Sequence, residues 1–97
     1  GVSNKCRVAA ERFCKEILFR HGRQAKLDRL SKGERTLGGL IPLAAPYLSK
    51  NGGDKGKLQQ LATVTNPAAH DDCPPTRPAL KLVVGNLGRL YKDYLSS

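Results

Sequence analysis

Several residue types that many folds and activities need are scarce in this chain. It has no Trp and no Met. Only five residues are aromatic: Phe13, Phe19, Tyr47, Tyr91 and Tyr94.

A chain of 97 residues has room for one domain with a single modest core, so we expect residues 1–97 to form one unit. That core must consist mainly of Leu, Val, Ile and Ala. Because the chain does not begin with Met, we expect a processed product or a fragment.

Acidic residues are also few. Eight Asp and Glu stand against 17 Lys and Arg, which gives a net charge of +9. The excess is uneven, since residues 1–35 hold ten basic and four acidic residues, net +6. A positive excess of this size favours anionic partners such as nucleic acid, an acidic protein or an anionic membrane. We expect the first third of the chain to carry the binding surface.

Long apolar runs are missing, and no signal-peptide pattern is visible. The longest apolar stretch, residues 37–48, is too short to span a bilayer and contains Pro42 and Pro46. Its cationic end would suit contact with an anionic membrane surface. However, it is also the largest apolar block in the middle of the chain, so we favour its burial in the core.

Sequence patterns of catalytic sites are absent as well. The stretch NGGDKGK, residues 51–57, lacks the spacing of a phosphate-binding loop. The adjacent carboxylates Asp71 and Asp72 are predicted to lie solvated in a loop. His70 and Cys73 are close in sequence, but no nucleophile turn or oxyanion arrangement accompanies them. We therefore predict no enzymatic activity and no cofactor.

The three cysteines are an odd number for a disulfide framework, and their spacing does not suit a zinc site. Cys6 and Cys14 are eight residues apart, about 12 Å along a helix, and cannot both bind one zinc ion. We predict no metal site. A single disulfide would pair Cys73 with Cys14 or with Cys6. Because secreted domains usually have an even cysteine count, we favour reduced thiols and an intracellular location over secretion.

Apolar residues recur with the period of a helix, and no segment shows the alternation of a strand. Residues 4–21 predict a first helix with Ser3 or Asn4 as N-cap and Gly22 as the stop. Its predicted apolar face consists of Cys6, Ala10, Phe13, Cys14, Ile17, Leu18 and His21. Residues 77–95 predict a last helix, with Thr76 as N-cap and Pro78 in the first turn. Its predicted apolar stripe consists of Leu80, Val83, Val84, Leu87, Leu90, Tyr91, Tyr94 and Leu95.

The intervening segments predict shorter elements. They are a helix over residues 23–32, a buried helix or pair of turns over residues 36–48, a flexible polar connector over residues 49–57, a helix over residues 57–65 and a proline-rich loop over residues 66–78. In the segment of residues 36–48, Thr36 is predicted to cap the helix and Pro46 to open a further turn. We predict an all-α fold, a small bundle of four to five helices with long first and last helices.

The basic residues cluster in the stretch RHGRQAKLDRLSKGER, residues 20–35. A basic residue falls at every third position: Arg20, Arg23, Lys26, Arg29, Lys32 and Arg35. Three residues advance about 300° around a helix, so these six side chains cannot form one stripe. Since Gly22 and Gly33 also divide the run, we predict that the six residues form a basic corner around a short exposed helix. Arg12 is predicted to extend this corner, together with Arg7 and Lys15 on the same helix.

Cations in this arrangement favour binding to the phosphate backbone of RNA or DNA, with strong salt dependence and little reading of base sequence. Short basic helical modules of this kind occur in viral and chromatin proteins, which is an analogy of class only. An acidic protein would use the same charges, and a solvated helix face would look alike in sequence. If one disulfide forms, a secreted protein acting on membranes or a receptor is a further alternative. No aromatic residue interleaves the run, so stacking of single-stranded bases is not predicted.

Overall fold

The structure, a computed structural model, describes residues 1–66 and 74–96. These residues form five α-helices: α1 (Val2–Arg20), α2 (Gln24–Asp28), α3 (Leu37–Ala44), α4 (Asp54–Thr65) and α5 (Arg77–Leu95). Two short 3-10 turns, Lys32–Glu34 and Ala45–Tyr47, flank α3. Neither described range contains a strand. The predicted all-α bundle with long first and last helices is confirmed.

The helix α1 is the centre of the bundle, because it packs against each of the other four helices. Six of the seven residues predicted for its apolar face are buried. The seventh, His21, is exposed beyond the end of the helix and stacks on the ring of Tyr47 instead. The predicted caps Ser3 and Asn4 are wrong, since α1 starts at Val2 and the Gly1 carbonyl accepts a hydrogen bond from the Lys5 amide at 3.1 Å.

The end of α1 follows the prediction for Gly22. This glycine has a φ of 68°, a conformation that side chains other than glycine rarely adopt. Its amide donates to the carbonyl of Phe19 at 3.0 Å, and the next amide, that of Arg23, donates to Leu18 at 2.7 Å. These two bonds are the Schellman pattern of helix termination. They turn the chain sharply into α2 and so place the basic run at a corner of the bundle.

The second helix is shorter than predicted. It ends at Asp28 rather than at residue 32, with Leu27 buried and Leu30 half-buried. Ser31 adopts an extended conformation and opens the first 3-10 turn, where its backbone amide donates to the Glu34 side chain at 3.0 Å. This capping box starts a new turn and thereby competes with continuation of α2. The Ser-x-x-Glu pattern at residues 31–34 is a sequence signal for this break, and the prediction of one helix over residues 23–32 did not use it.

The apolar stretch of residues 37–48 lies in the core. Thr36 caps α3 as predicted, because its hydroxyl oxygen accepts from the Gly39 amide at 3.3 Å. The second 3-10 turn contains Pro46, also as predicted. The buried residues of this stretch are Leu37, Leu40, Ile41, Ala44 and Leu48. Their burial agrees with the favoured interpretation of this segment as core.

The prediction of a flexible polar connector over residues 49–57 is wrong for its second half. The helix α4 begins at Asp54, so residues 54–57 are helical. The carboxylate of Asp54 is fully buried and accepts from the Tyr94 hydroxyl at 2.5 Å and from Asn51 Nδ2 at 3.2 Å. The Lys50 amide also donates to the Tyr94 hydroxyl, at 2.9 Å. These hydrogen bonds attach the supposedly flexible segment to α5.

The last helix starts as predicted, since the Thr76 hydroxyl oxygen accepts from the Ala79 amide at 3.2 Å and Pro78 lies in the first turn. The Tyr91 hydroxyl donates to the carbonyl of Ala9 at 2.9 Å and joins α5 to α1. One residue of the predicted stripe, Val84, is instead exposed. Most of the predicted proline-rich loop, residues 67–73, lies outside the described residues.

Candidate functional site

The structure places every basic residue of the predicted site at the surface. These residues are Arg12, Arg20, Arg23, Lys26, Arg29, Lys32 and Arg35. Arg12 and Arg20 lie on α1, and the remaining five surround α2 and the 3-10 turn that follows it. Because α2 ends at Asp28, the residues Arg29, Lys32 and Arg35 do not continue along its axis. The side chains therefore lie around a corner rather than along one stripe, as the spacing predicted.

Most cations of the basic corner have no carboxylate partner among the residues that the structure describes. Within residues 1–66 and 74–96, Arg20 is the one member that forms an ion pair, with its Nε 3.2 Å from Glu16 Oε1. Arg35 uses its Nε to donate to the carbonyl of Leu30 at 3.3 Å, which leaves its charge uncompensated. The corner thus presents uncompensated positive charge to solvent.

The carboxylates at the corner are engaged locally. Asp28 Oδ1 accepts from the Gln24 side chain at 3.3 Å. Glu34 is held by the backbone and side chain of Ser31, and these hydrogen bonds lower the pKa of Glu34 below its ordinary value. Both acids therefore form hydrogen bonds within their own turn, and neither forms an ion pair with a basic side chain of the described residues. This distribution could not be read from the net charge alone.

Tyr47 lies beside the basic corner, although it is 24 residues from Arg23 in sequence. Arg23 Nε donates to the Tyr47 hydroxyl at 2.9 Å, and Lys26 Nζ lies 5.7 Å from the centre of the ring. On the same ring, His21 stacks with centroids 4.4 Å apart and an interplanar angle of 25°. The hydrogen bond from Arg23 is the main cause of a lowered pKa for Tyr47.

The sequence had indicated no aromatic partner for the run because Tyr47 reaches it only through the return of the chain along α3. A second aromatic residue also lies close by. Phe19 lines an open depression between α1 and α2, together with Arg12, Lys15, Glu16, Gln24 and Leu27. The side chain of Phe19 is 64% exposed. No aromatic residue interleaves the run in sequence, but the fold brings Tyr47 against it, and Phe19 lies close by.

A further basic surface lies on α5 and was missed by counting charges along the chain. The exposed basic residues of this α5 basic face are Arg77, Lys81, Arg89 and Lys92. Their positions fall within about 120° of one another around the helix. Residues 74–92 contain no Asp or Glu. Acidic residues outside this stretch, such as Asp93, hide the excess when charge is summed over the last third of the chain.

The cysteines offer little reactivity in the described part of the structure. Cys6 and Cys14 are both buried, and they form no disulfide with each other. Burial, with a smaller effect from the charge of Glu11, raises the pKa of Cys14 to about 12. Such a thiol stays protonated at neutral pH and is a poor nucleophile. The predicted partner Cys73 lies outside the described residues, so the Cys14–Cys73 disulfide stays a prediction.

His70, Asp71 and Asp72 also lie outside the ranges that the structure describes. Within those ranges, no group of three or more His, Cys, Asp or Glu side chains is placed to hold a metal ion. None of the helices described there is both long enough and apolar enough to cross a membrane.

Comparison of the chain with models of known protein families, with curated proteins and with solved structures gives no significant match.

Proposed function

We propose that this chain is a non-catalytic module that binds nucleic acid through the phosphate backbone, using the basic corner. One observation carries the proposal. Five of the six cations of the corner, all exposed, have no carboxylate partner among the described residues, while Asp28 and Glu34 are engaged by their own neighbours. A cation without a local partner keeps its full charge for an approaching polyanion, whereas the charge of Arg20 is partly compensated by Glu16.

The physical basis of the proposed binding is the exchange of condensed counterions for protein cations. Each Lys or Arg that meets a phosphate releases a counterion, and the gain in entropy makes the affinity fall with salt. Cations on a convex corner can each meet a different phosphate along a strand. Because the Debye length is about 8 Å at physiological salt, cations on adjacent turns act together on an approaching polyanion.

The corner is built for backbone contact rather than for reading base edges. The helix α2 has five residues, fewer than the recognition helices that occupy the major groove. Its residue best suited to hydrogen-bond a base edge, Gln24, already donates to Asp28 at 3.3 Å. We therefore propose affinity with little preference for base sequence.

The test compares two double variants that change the net charge equally. Lys26→Glu with Arg29→Glu reverses two charges of the corner, and Lys81→Glu with Arg89→Glu reverses two charges of the α5 basic face. Fluorescence anisotropy of labelled single- and double-stranded RNA and DNA would measure the affinities at one ionic strength. All four positions are exposed, so both variants should keep the far-UV circular dichroism of the unmodified chain.

The proposal predicts that the corner variant binds at least about tenfold more weakly than the α5 variant, the factor that corresponds to about 1.4 kcal/mol. Equal weakening would show that only the net charge matters, and unchanged affinity in the corner variant would exclude the corner as the site. If none of the four nucleic acids binds even at low salt, an acidic protein that docks on the same charges replaces the proposal.

A further inference from the structure

Phe19 is a large aromatic side chain that the fold does not use. It is the penultimate residue of α1, and 64% of its surface is exposed. The other described aromatic residues are at least half-buried: Phe13 is fully buried, and Tyr47, Tyr91 and Tyr94 are intermediate. Exposed aromatic surface gains nothing from the hydrophobic effect. Phe19 therefore presents a flat apolar ring to whatever occupies the depression between α1 and α2.

The depression combines this ring with cationic side chains. Arg12 lies seven residues before Phe19, which places the two within about 20° of each other on α1 and about 10 Å apart along its axis. Lys15 lies between them on the adjacent part of the same face. The opposite wall comes from α2, through Gln24 and the buried Leu27.

The net charge of the depression is positive. Its one carboxylate, that of Glu16, lies 3.2 Å from Arg20 Nε and is compensated by that ion pair. Arg12 and Lys15 form no ion pair with any of residues 1–66 or 74–96. An occupant that suits this site has a flat apolar face and negative charge within about 10 Å of that face.

We propose that the depression is a stacking site for an unpaired nucleotide base, with the base on the ring of Phe19 and the adjoining phosphates at Arg12 and Lys15. A nucleotide in a single strand has both required features. Aromatic side chains stack on bases of every type, so such a site adds affinity without sequence preference. In a continuous duplex the base faces are covered by their neighbours and cannot reach the ring.

This inference rests on the proposed function and narrows it. The basic corner by itself would bind any polyanion, whereas Phe19 selects a partner that is single-stranded or contains an unpaired segment. Arg12 connects the two surfaces, since it extends the corner and also lines the depression. The depression and the corner share α2, so one strand can contact both.

The test measures the affinity of the unmodified chain and of three variants for a single-stranded RNA of about 12 nucleotides and for the corresponding duplex. Phe19→Ala removes the ring, Phe19→Trp keeps a stacking surface and adds a fluorescent one, and Leu82→Ala is the matched control on α5. Leu82 is 52% exposed, so both alanine variants remove apolar surface that contributes little to the core.

We expect Phe19→Ala to weaken single-strand binding about 5- to 150-fold, the range that corresponds to the loss of one stacked base. Duplex affinity should change by less than about twofold, and Leu82→Ala should leave both affinities unchanged. Phe19→Trp should restore single-strand binding, and RNA should quench its fluorescence. Because the quenching is measured on Phe19→Trp, it tests the stacking site even if Phe19→Ala folds poorly.

Three outcomes overturn the inference. Binding of single strands by the unmodified chain that Phe19→Ala does not weaken would refute the stacking site and leave the proposed function standing. A Phe19→Ala variant that alters only self-association would identify the ring as a contact between copies of this chain. Absence of all nucleic-acid binding by the unmodified chain would refute the proposed function and this inference together.

Discussion

Gly39 allows the 3-10 turn of the basic corner to lie directly against α3. A Cβ atom placed on Gly39 would lie 2.0 Å from the carbonyl oxygen of Glu34, far inside the 3.0 Å that real Cβ contacts almost never cross. The atom in the way belongs to the backbone, so a change of rotamer cannot relieve the clash. Gly39→Ala should therefore force Glu34 and the turn away from α3 by about 1 Å.

The cost of this change is that of overpacking, about 1–3 kcal/mol, reduced by the helical preference of Ala over Gly, about 0.5–1 kcal/mol. We expect a net loss of stability of up to about 2.5 kcal/mol. Gly38→Ala is the matched control in the same helix, because its Cβ would come no closer than 4.0 Å to the Thr36 hydroxyl oxygen. This second variant should gain about 0.5–1 kcal/mol from helix propensity alone.

Urea unfolding followed by far-UV circular dichroism would measure both changes as shifts of the midpoint at constant slope. The two substitutions are chemically identical and adjacent, so the essential result is that their changes in unfolding free energy have opposite signs. If Gly39→Ala is as stable as Gly38→Ala, the close approach of Glu34 to α3 is wrong. The position of the corner that depends on this approach would then be wrong as well.

Two further predictions concern tyrosines. Tyr94→Phe should destabilise the fold by about 1.5–3 kcal/mol, because it removes a hydrogen bond to the buried carboxylate of Asp54. Burial alone raises the pKa of Asp54, but hydrogen bonds from Tyr94 and Asn51 and the charge of Lys57 hold it below its ordinary value. The folded-state pKa is thus below the unfolded one, so the ionised group stabilises the fold above the unfolded pKa and this contribution is lost as pH falls through the folded pKa. Urea unfolding would measure the loss of unfolding free energy caused by Tyr94→Phe at neutral and at acidic pH, and this loss should be smaller in acid. An equal loss at both pH values would contradict the burial of the ionised carboxylate. In a titration followed by phenolate absorbance, Tyr47 should ionise first, since its pKa is lowered by Arg23 while those of Tyr91 and Tyr94 are raised, chiefly by burial. Arg23→Ala should raise the pKa of Tyr47, and an unchanged first step would exclude the hydrogen bond.

The parts of the fold that follow from short-range signals could be predicted from the sequence. The periodicity of residues 4–21 and 77–95 predicted α1 and α5, because a core-facing stripe needs only the period of the helix itself. Gly22 and Thr76 act on their own turn, through a positive φ and a side-chain cap. Each of these predictions depends on residues within one helix or directly next to it.

The features that were missed depend on contacts between distant residues. Asp54 follows two glycines and was interpreted as part of a loop, yet it starts α4 because a tyrosine 40 residues away supplies a hydrogen bond to its buried carboxylate. Tyr47 joins the basic corner only because α3 returns the chain to α2. The exposure of Val84 depends on which side of α5 meets α1 and α4. Periodicity predicts which stripe of α5 faces the core, but it does not predict which residues at the edges of that stripe are buried.

The candidate site shows the same division. The exposure of the basic residues and their arrangement around a corner follow from the three-residue spacing and the glycine at position 22. Which of them carry uncompensated charge depends on side-chain geometry, since Glu16 lies within reach of Arg20 while Asp28 accepts from Gln24. The number of charges does not reveal that difference, and it does not show that Phe19 and Arg12 line the same depression.

The salt dependence of binding to a single-stranded RNA tests the central claim most directly. For the unmodified chain we expect the logarithm of the affinity to fall linearly with the logarithm of the salt concentration. The combined Lys26→Glu and Arg29→Glu variant should show a slope that is smaller in magnitude by about 1.4, the loss of two phosphate contacts to a single strand. An unchanged slope in that variant, or an affinity of the unmodified chain that does not respond to salt, would contradict binding of the phosphate backbone by the basic corner.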